Sequence, residues 1–428
     1  MKRIALLFFA VLLMLPLKAQ IRGNNIVVTV QPNHRDWNYQ VGEKAVFRIE
    51  VLRSGTTLPN AKVDVEAGPV MYPDTHRKNI TLKEGTLQWT GSMKRPGFYR
   101  VKVTAHVGGK DYTGLCTAAF SPEQIRPAAQ EPKDFDAFWS RTLAAARQTS
   151  LEPTRKLLPD RCTKDVNVYE VSFQNDRWGS RIFGILCLPV KSGHYPALLR
   201  VPGAGVRPYQ GDVWTASQGV ITLEIGIHGI DVTQPQQIYD NLAAGALNGY
   251  WDTNLDQPEK NYYHRVVTGA VRAVDYIASL PEWDGAKLGV TGSSQGGFLS
   301  LATAALDSRV TCIGVVHDAM CDYESELKGV AGGWPHYFYQ VQNADSKRIE
   351  GARYYDGVNF ARRVKCKGWF SFGYNDEVVP PTSSYGTYNI VTAPKELSVY
   401  QQTGHYWYQE QWDEWENWLL RQLGVTNK

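Results

Sequence analysis

No block of like charge, no nucleotide-binding loop and no metal-ligand spacing occurs in this chain. Lys and Arg (46) are intermixed with Asp and Glu (42), leaving a formal net charge of +4. Such a surface offers no basic stripe to follow a phosphate backbone, so nucleic acid is not an expected partner. There is no Walker-type loop, no G-x-G-x-x-G with its downstream acid and no H-E-x-x-H. His228, His264, His317 and His336 keep no close ligand spacing, and neither a metal nor a cofactor is expected. Cysteine is scarce: Cys116, Cys162, Cys187, Cys312, Cys321 and Cys366 are widely spread, and most are expected to be free, buried thiols.

Long apolar runs are also missing, with one exception at the start. Met1-Lys2-Arg3 precedes the apolar run Ile4 to Leu17 and then Lys18-Ala19-Gln20, a pattern too short to span a bilayer comfortably and typical of a secretory signal. Residues 1–19 are therefore read as a signal peptide. The mature protein is expected to be exported, periplasmic or secreted, with no membrane span.

A length of 428 residues exceeds one compact core, and two domains are expected. Between Ile26 and Phe120, short runs alternate apolar and polar residues and are separated by pairs such as Ser54-Gly55 and Gly108-Gly109. Period-two alternation at regular intervals predicts an immunoglobulin-like β-sandwich of about seven strands over 21–121. Pro122, Pro127 and Pro132 mark a linker, 122–132. From 133 to 428, strand-like and helix-like runs alternate. Eight strands are predicted: Val166 to Phe173, Ile182 to Val190, Ala197 to Val201, Val220 to Ile225, Leu288 to Thr291, Thr311 to Val316, Gly368 to Phe372 and Glu396 to Tyr400. This is the pattern of an α/β fold, a mostly parallel sheet with helices on both faces. In such sheets ligands sit beyond the carboxyl ends of the strands.

One of those ends carries Gly292-Ser293-Ser294-Gln295-Gly296, a G-x-S-x-G between a strand and a helix. That is the context of a nucleophile elbow, and it makes Ser294 the expected nucleophile with the Gln295 N–H as an oxyanion donor. A serine hydroxyl needs a base and an acid to orient it. Asp376 follows the seventh strand within Asn375-Asp376-Glu377-Val378-Val379-Pro380-Pro381, and His405 follows the eighth. The Ser, Asp, His order is that of an α/β-hydrolase. Glu377 and Asp318 are the competing carboxylates. The second oxyanion donor is expected from Pro202-Gly203-Ala204-Gly205, at Ala204, with Gly203 and Gly205 as neighbours. Gly203, Trp334 and Tyr337 are candidate substrate contacts, the last two in an irregular stretch between the sixth and seventh strands. The stretch His228 to Tyr262 has little apolar periodicity and reads either as a lid or as a solvated loop. Trp412, Trp415 and Trp418 recur at helical spacing and read as a core-facing stripe.

These residues resemble the acetyl xylan esterase and cephalosporin C deacetylase family of α/β-hydrolases. The likeness runs over most of Pro132 to His405: Asp134-Phe135-Asp136-Ala137-Phe138-Trp139, Tyr262-Tyr263-His264-Arg265, Gly292-Ser293-Ser294-Gln295-Gly296-Gly297, Cys321-Asp322, Asp376 with Pro380-Pro381, and Gly404-His405. The resemblance implies removal of acetyl groups from acetylated xylo-oligosaccharides and similar esters, with Ser294 attacking, His405 as base, Asp376 orienting it, and Ala204 and Gln295 forming the hole. Two departures stand out. The loop that in the family reads like His-Gly-Tyr-Asn is Pro202-Gly203-Ala204-Gly205 here. The N-terminal module has no counterpart in compact members, so their ring-like oligomer is not carried over and the oligomeric state stays open.

An acetylated carbohydrate is thus the expected partner and a serine esterase the expected activity. A prolyl-oligopeptidase-like peptidase is the rival in the same fold, but Ile26 to Phe120 is too short for the propeller that gates such enzymes. A non-catalytic carbohydrate-binding protein is the rival from another class, and the complete Ser294, Asp376, His405 set argues against it.

Overall fold

A computed structural model describes residues 25–425. The expected signal segment lies outside them. Among the described residues no helix is long and apolar enough to cross a membrane.

The alternation at the N-terminus builds two β-sheets. One joins Ile26–Pro32, Ala45–Arg53 and Thr56–Thr57, with Thr86–Gly91 also paired to Ala45–Arg53. The other runs Asn38–Tyr39, Lys110–Phe120, Gly97–Val107, Ala61–Pro69, Thr75–Leu82. Inward residues of both, including Phe47, Ile49, Val51, Val63, Val101 and Val103, are fully buried in one cluster. Thr75–Leu82 breaks the sequence pattern: it is mostly polar and exposed, because it is an edge strand with one face in water.

The second body is a sheet of 9 strands, one more than the periodicity predicts. Its order is Thr154–Leu157, Val166–Gln174, Arg181–Pro189, Ile221–Gly226, Tyr195–Arg200, Trp283–Ser293, Cys312–Val316, Lys367–Phe372, Lys395–Val399. The unforeseen member is Thr154–Leu157, exposed along its whole length, so no apolar alternation announces it. The first three pairings are antiparallel and all later ones parallel.

Side chains alternate across this sheet and divide its burial between two layers. Leu199, Val290, Ile313, Val315 and Phe370 pack with the helices Phe135–Arg147, Tyr262–Ala278 and Gln295–Leu306. Leu198, Cys312, Val316 and Trp369 face the other way, onto Trp415, Trp418, Leu419 and Leu423 of the helix Gln409–Leu423. The tryptophan stripe is therefore core, as its spacing suggests. Each such aliphatic side chain contributes about 1.5–3 kcal/mol when fully buried, so both layers are needed to hold a sheet this wide. All six cysteines are unpaired.

The stretch 122–132 is not a free tether. Ala128 and Ala129 donate their N–H groups to Asp322 Oδ1 at 2.7 and 2.9 Å, and Gln130 donates to Glu324 Oε1 at 2.9 Å.

Candidate active site

Strand Trp283–Ser293 ends in a turn that only small residues can make. A Cβ on Gly292 would fall 2.4 Å from the Val201 carbonyl oxygen, and one on Gly296 would fall 2.5 Å from the same atom. Both glycines are thus set by the close approach of the neighbouring strand end. Ser294 sits between them at φ 62°, ψ −123°, a strained conformation for a residue with a side chain. Its backbone is pinned on both sides: the N–H donates to Val316 O at 2.8 Å, and its carbonyl accepts from Ala319 N at 3.1 Å. The helix Gln295–Leu306 starts at the next residue.

Ser294 opens onto a cavity of about 750 Å³ that is also lined by Gly203, Ala204, Arg207, Trp334, His405 and Trp407. Asp376 lies just behind, fully buried. The strands Lys367–Phe372 and Lys395–Val399 are adjacent and parallel, so the loops that follow them leave side by side. They are tied together by Asn375 N to Thr403 O at 3.2 Å and by Asn375 Nδ2 to Gln402 O at 3.3 Å. In this arrangement His405 Nδ1 and Asp376 Oδ2 share a hydrogen bond of 2.7 Å. The other carboxylate oxygen, Oδ1, accepts from Val378 N and Val379 N, each at 2.8 Å.

Burial alone would raise the Asp376 carboxyl, but the imidazoles of His317 and His405 hold it well below the usual carboxylate range. His317 Nδ1 lies 3.3 Å from Asp376 Oδ2, though out of hydrogen-bonding alignment. Its ring is 5.2 Å from that of His405 and stacks on Trp407 at 6.4 Å. Sequence spacing gives this histidine no signal of its own: it directly follows the strand Cys312–Val316, at φ 48°. Ligand atoms of His317, Asp376 and His405 come within 4.8 Å of one another, and an ion held there would take His405 away from the serine. Among the described residues, Ser294 Oγ has no hydrogen bond to His405. The two groups share one cavity, and such contacts commonly tighten only when substrate is bound.

The competing carboxylates are elsewhere. Glu377 pairs with Lys102 at 2.9 Å. Asp318 is only 1% exposed and lies under the elbow helix, where a Cβ on Gly297 would meet its Cα at 2.9 Å. Burial pushes the Asp318 carboxyl up to about 7. Between the ordinary value of 3.8 and about 7, the unfolded chain ionises while the folded one keeps the proton, so this group's stabilising contribution is lost as pH rises. Asp318→Asn should therefore gain in melting temperature over the parent as pH goes from 4 to 8, with turnover retained. Melts of both proteins across that range check it, and a constant difference would contradict it.

The Gln295 and Ala204 N–H groups have no hydrogen-bond acceptor among the described residues, whereas Gly205 N is taken by Tyr250 Oη at 3.3 Å. Of the glycine-loop candidates, Gly205 is thus removed. Arg207 Nη2 fixes the loop by donating to Gly203 O at 2.7 Å and Ala204 O at 2.8 Å. The Gln295 side chain braces it from below. Its Oε1 accepts from Tyr250 Oη and Tyr263 Oη, both at 2.8 Å, and its Nε2 donates to Pro202 O at 3.2 Å.

Two expectations need correction. Tyr337 does not line the cavity; its ring packs on Tyr323 at 4.8 Å and its hydroxyl donates to the Trp251 carbonyl. The stretch His228 to Tyr262 is not a lid, since none of it lines the cavity. It forms a helix, Gln236–Ala244, and short 3-10 turns, and buries Tyr250 beneath the elbow. Conversely Trp407, 41% exposed, faces the cavity, and the buried Trp415 of the core stripe also reaches it.

A strand-elbow-helix serine at the carboxyl edge of a largely parallel, two-faced sheet, with an imidazole and carboxylate on later strand ends, defines an α/β-hydrolase. The family model described as acetyl xylan esterase (AXE1) matches residues 122–422. The chain is 38% identical over 384 residues to the acetyl esterase Axe7A of Xylanibacter ruminicola, covering 88% of this chain and 86% of that one. The acetyl xylan esterase of Paenibacillus sp. R4 superposes with a TM-score of 0.61 at 25% identity, over 70% of this chain and 98% of the other. Acetyl xylan esterase 1 of Thermoanaerobacterium sp. JW/SL YS485 has the same fold, with a TM-score of 0.61 at 24% identity over 70% and 97%. The chain belongs to the acetyl xylan esterase family and is a carboxylic ester hydrolase.

Proposed function

We propose that the protein is an exported serine esterase that removes O-acetyl groups from acetylated xylan or xylo-oligosaccharides through an acyl-enzyme. The observation that carries the mechanism is the 2.7 Å bond between His405 and Asp376 at the edge of the cavity that holds Ser294. Ser294 Oγ attacks the acetyl carbonyl carbon while His405 takes its proton, and Asp376 holds the imidazole in the tautomer that accepts it. The carbonyl oxygen, now negative, lies against the unoccupied Gln295 and Ala204 N–H groups. The tetrahedral centre collapses, the sugar hydroxyl leaves with the proton from His405, and the acetyl group stays on Ser294. Water, deprotonated by His405, then attacks the acyl carbon; the bond to Ser294 Oγ breaks as His405 returns the proton to that oxygen, and acetate leaves.

Export is supported by Met1-Lys2-Arg3 and the apolar run behind it. For the chain as a whole we propose a signal peptide at 1–19, an immunoglobulin-like sandwich at 21–121, a docked linker at 122–132 and the hydrolase at 133–428. The sandwich is supported by two face-packed sheets with one shared core.

Trp407 and Trp334 give the cavity two aromatic walls, which suit the apolar face of a pyranose. Trp407→Ala is expected to raise KM for acetylated xylo-oligosaccharides about three- to tenfold, the scale of one lost ring contact, while kcat/KM for p-nitrophenyl acetate stays within about twofold. Acetate release from acetylated xylo-oligosaccharides, other acetylated glycans and cephalosporin C tests the substrate class. Cleavage of peptide amides in place of acetyl esters would sink it.

A further inference from the structure

The N-terminal sandwich grips the turn that carries Asp376. On strand Gly97–Val107, residues of one parity, Tyr99, Val101 and Val103, go into the sandwich core. Those of the other parity reach the hydrolase. The Phe98 ring packs edge-on against Tyr374 at 4.9 Å. Arg100 Nη2 donates to Tyr374 O at 3.1 Å and to Asp376 O at 2.8 Å. Lys102 Nζ pairs with Glu377 Oε1 at 2.9 Å. From the short strand Asn38–Tyr39, Asn38 Oδ1 accepts from Tyr374 Oη at 3.0 Å.

Arg100 stands apart from the others because it binds the backbone of the acid itself. Its Nε donates to Thr117 Oγ1 at 2.8 Å, so the guanidinium plane is set by the neighbouring strand, Lys110–Phe120, before it meets the turn. Two carbonyls of a tight turn left without donors would rotate toward other partners, and the carboxylate would move with them. The backbone N–H groups of Val378 and Val379 hold one oxygen of the Asp376 carboxylate; Arg100 holds its backbone from the opposite domain.

Resting on the esterase mechanism above, we propose that Arg100 is a positioning residue for the Ser294, His405, Asp376 relay, making the sandwich a working part of the esterase. Displacing a catalytic group by about 1 Å costs on the order of a hundredfold. In the full chain, Arg100→Met is therefore expected to lower kcat for p-nitrophenyl acetate about ten- to a hundredfold with KM little changed. The acid limb of kcat/KM should move to lower pH, since a displaced carboxylate stabilises the imidazolium less. Beside His405 lies the His317 ring, at 5.2 Å, while Lys102 and Glu377 near the same turn are paired with each other. Arg100→Lys keeps a charged donor nitrogen and should recover part of kcat.

Wild-type kcat and an unmoved acid limb in folded Arg100→Met would overturn the proposal. If that variant does not fold, Thr117→Val carries the test, because it keeps the guanidinium and removes only the hydroxyl that orients it. A several-fold loss of kcat with an unchanged melting temperature supports the role, and wild-type kcat refutes it. Ser294→Ala, measured alongside, separates the two levels: if it is inactive while Arg100→Met is normal, only the positioning role fails; if it is active, the relay fails with it.

Discussion

Ser294→Ala is expected to lower kcat for acetyl esters by up to about a millionfold, because nucleophile, base and acid act as one unit and removing the nucleophile forfeits nearly all of it. What remains should be of the order of a thousand- to ten-thousandfold over water, from the Gln295 and Ala204 amides and from binding alone. The fold should be untouched. Strain at φ 62° belongs to any side chain in that position, so alanine inherits it and the melting temperature should match the parent. Glycine, by contrast, relieves it. Ser294→Gly should be as inactive as the alanine variant yet more stable, by about 1–3 kcal/mol at most. Thermal melts of the three proteins beside their acetate-release rates check both halves of this expectation.

The second large effect is at the carboxylate. Asp376→Asn should cost about ten-thousandfold in kcat, the scale for a triad whose imidazole is held in the wrong tautomer. An amide nitrogen at the Oδ2 position would donate to His405 Nδ1 where the carboxylate accepts, leaving the proton on the ring nitrogen that faces the serine. The turn itself should survive, since the amide oxygen can still accept from Val378 N and Val379 N as Oδ1 does. No neighbour substitutes: Glu377 is turned out to Lys102, and the other group against the carboxylate is a histidine. Because Asp376 is held well below the usual carboxylate range, it stays ionised as pH falls through the region where imidazoles titrate. The acid limb of the parent's rate profile is therefore not expected to come from that carboxylate. An Asp376→Asn enzyme with turnover near that of the parent would remove Asp376 from the relay.

The proposed relay could be read from the sequence because each candidate member stands at a strand end with its own local signal. Gly292 and Gly296 mark the elbow, Pro380-Pro381 closes the acid turn, and Gly404 precedes the histidine after the last strand. Parallel strands add one residue type at a time to the same sheet edge, so order along the chain becomes proximity in space. Elements that lie outside the core had no such signal. Thr154–Leu157 is exposed at every position. The helix Gln236–Ala244 buries only Tyr239, too little to impose a period. His317 and Tyr337 were hidden for another reason. Their surroundings come from segments far away in the chain, Asp376 and Trp407 for the one and Trp251 for the other. The same holds for Arg100, whose carbonyl partners follow some 270 residues later. Nothing in Phe98-Tyr99-Arg100-Val101-Lys102 tells a strand's outer face from a domain interface; only the packed structure does.

During turnover the acetyl group is expected to pass through Ser294. Intact-mass and peptide mass spectrometry of enzyme quenched during turnover of p-nitrophenyl acetate addresses it directly. One acetyl group per chain is expected, on the peptide containing Ser294, accumulating with the initial burst of p-nitrophenol and absent from the Ser294→Ala protein. Steady acetate release with no acetylated enzyme at any quench time, or an acetyl group mapped to another residue, would contradict it.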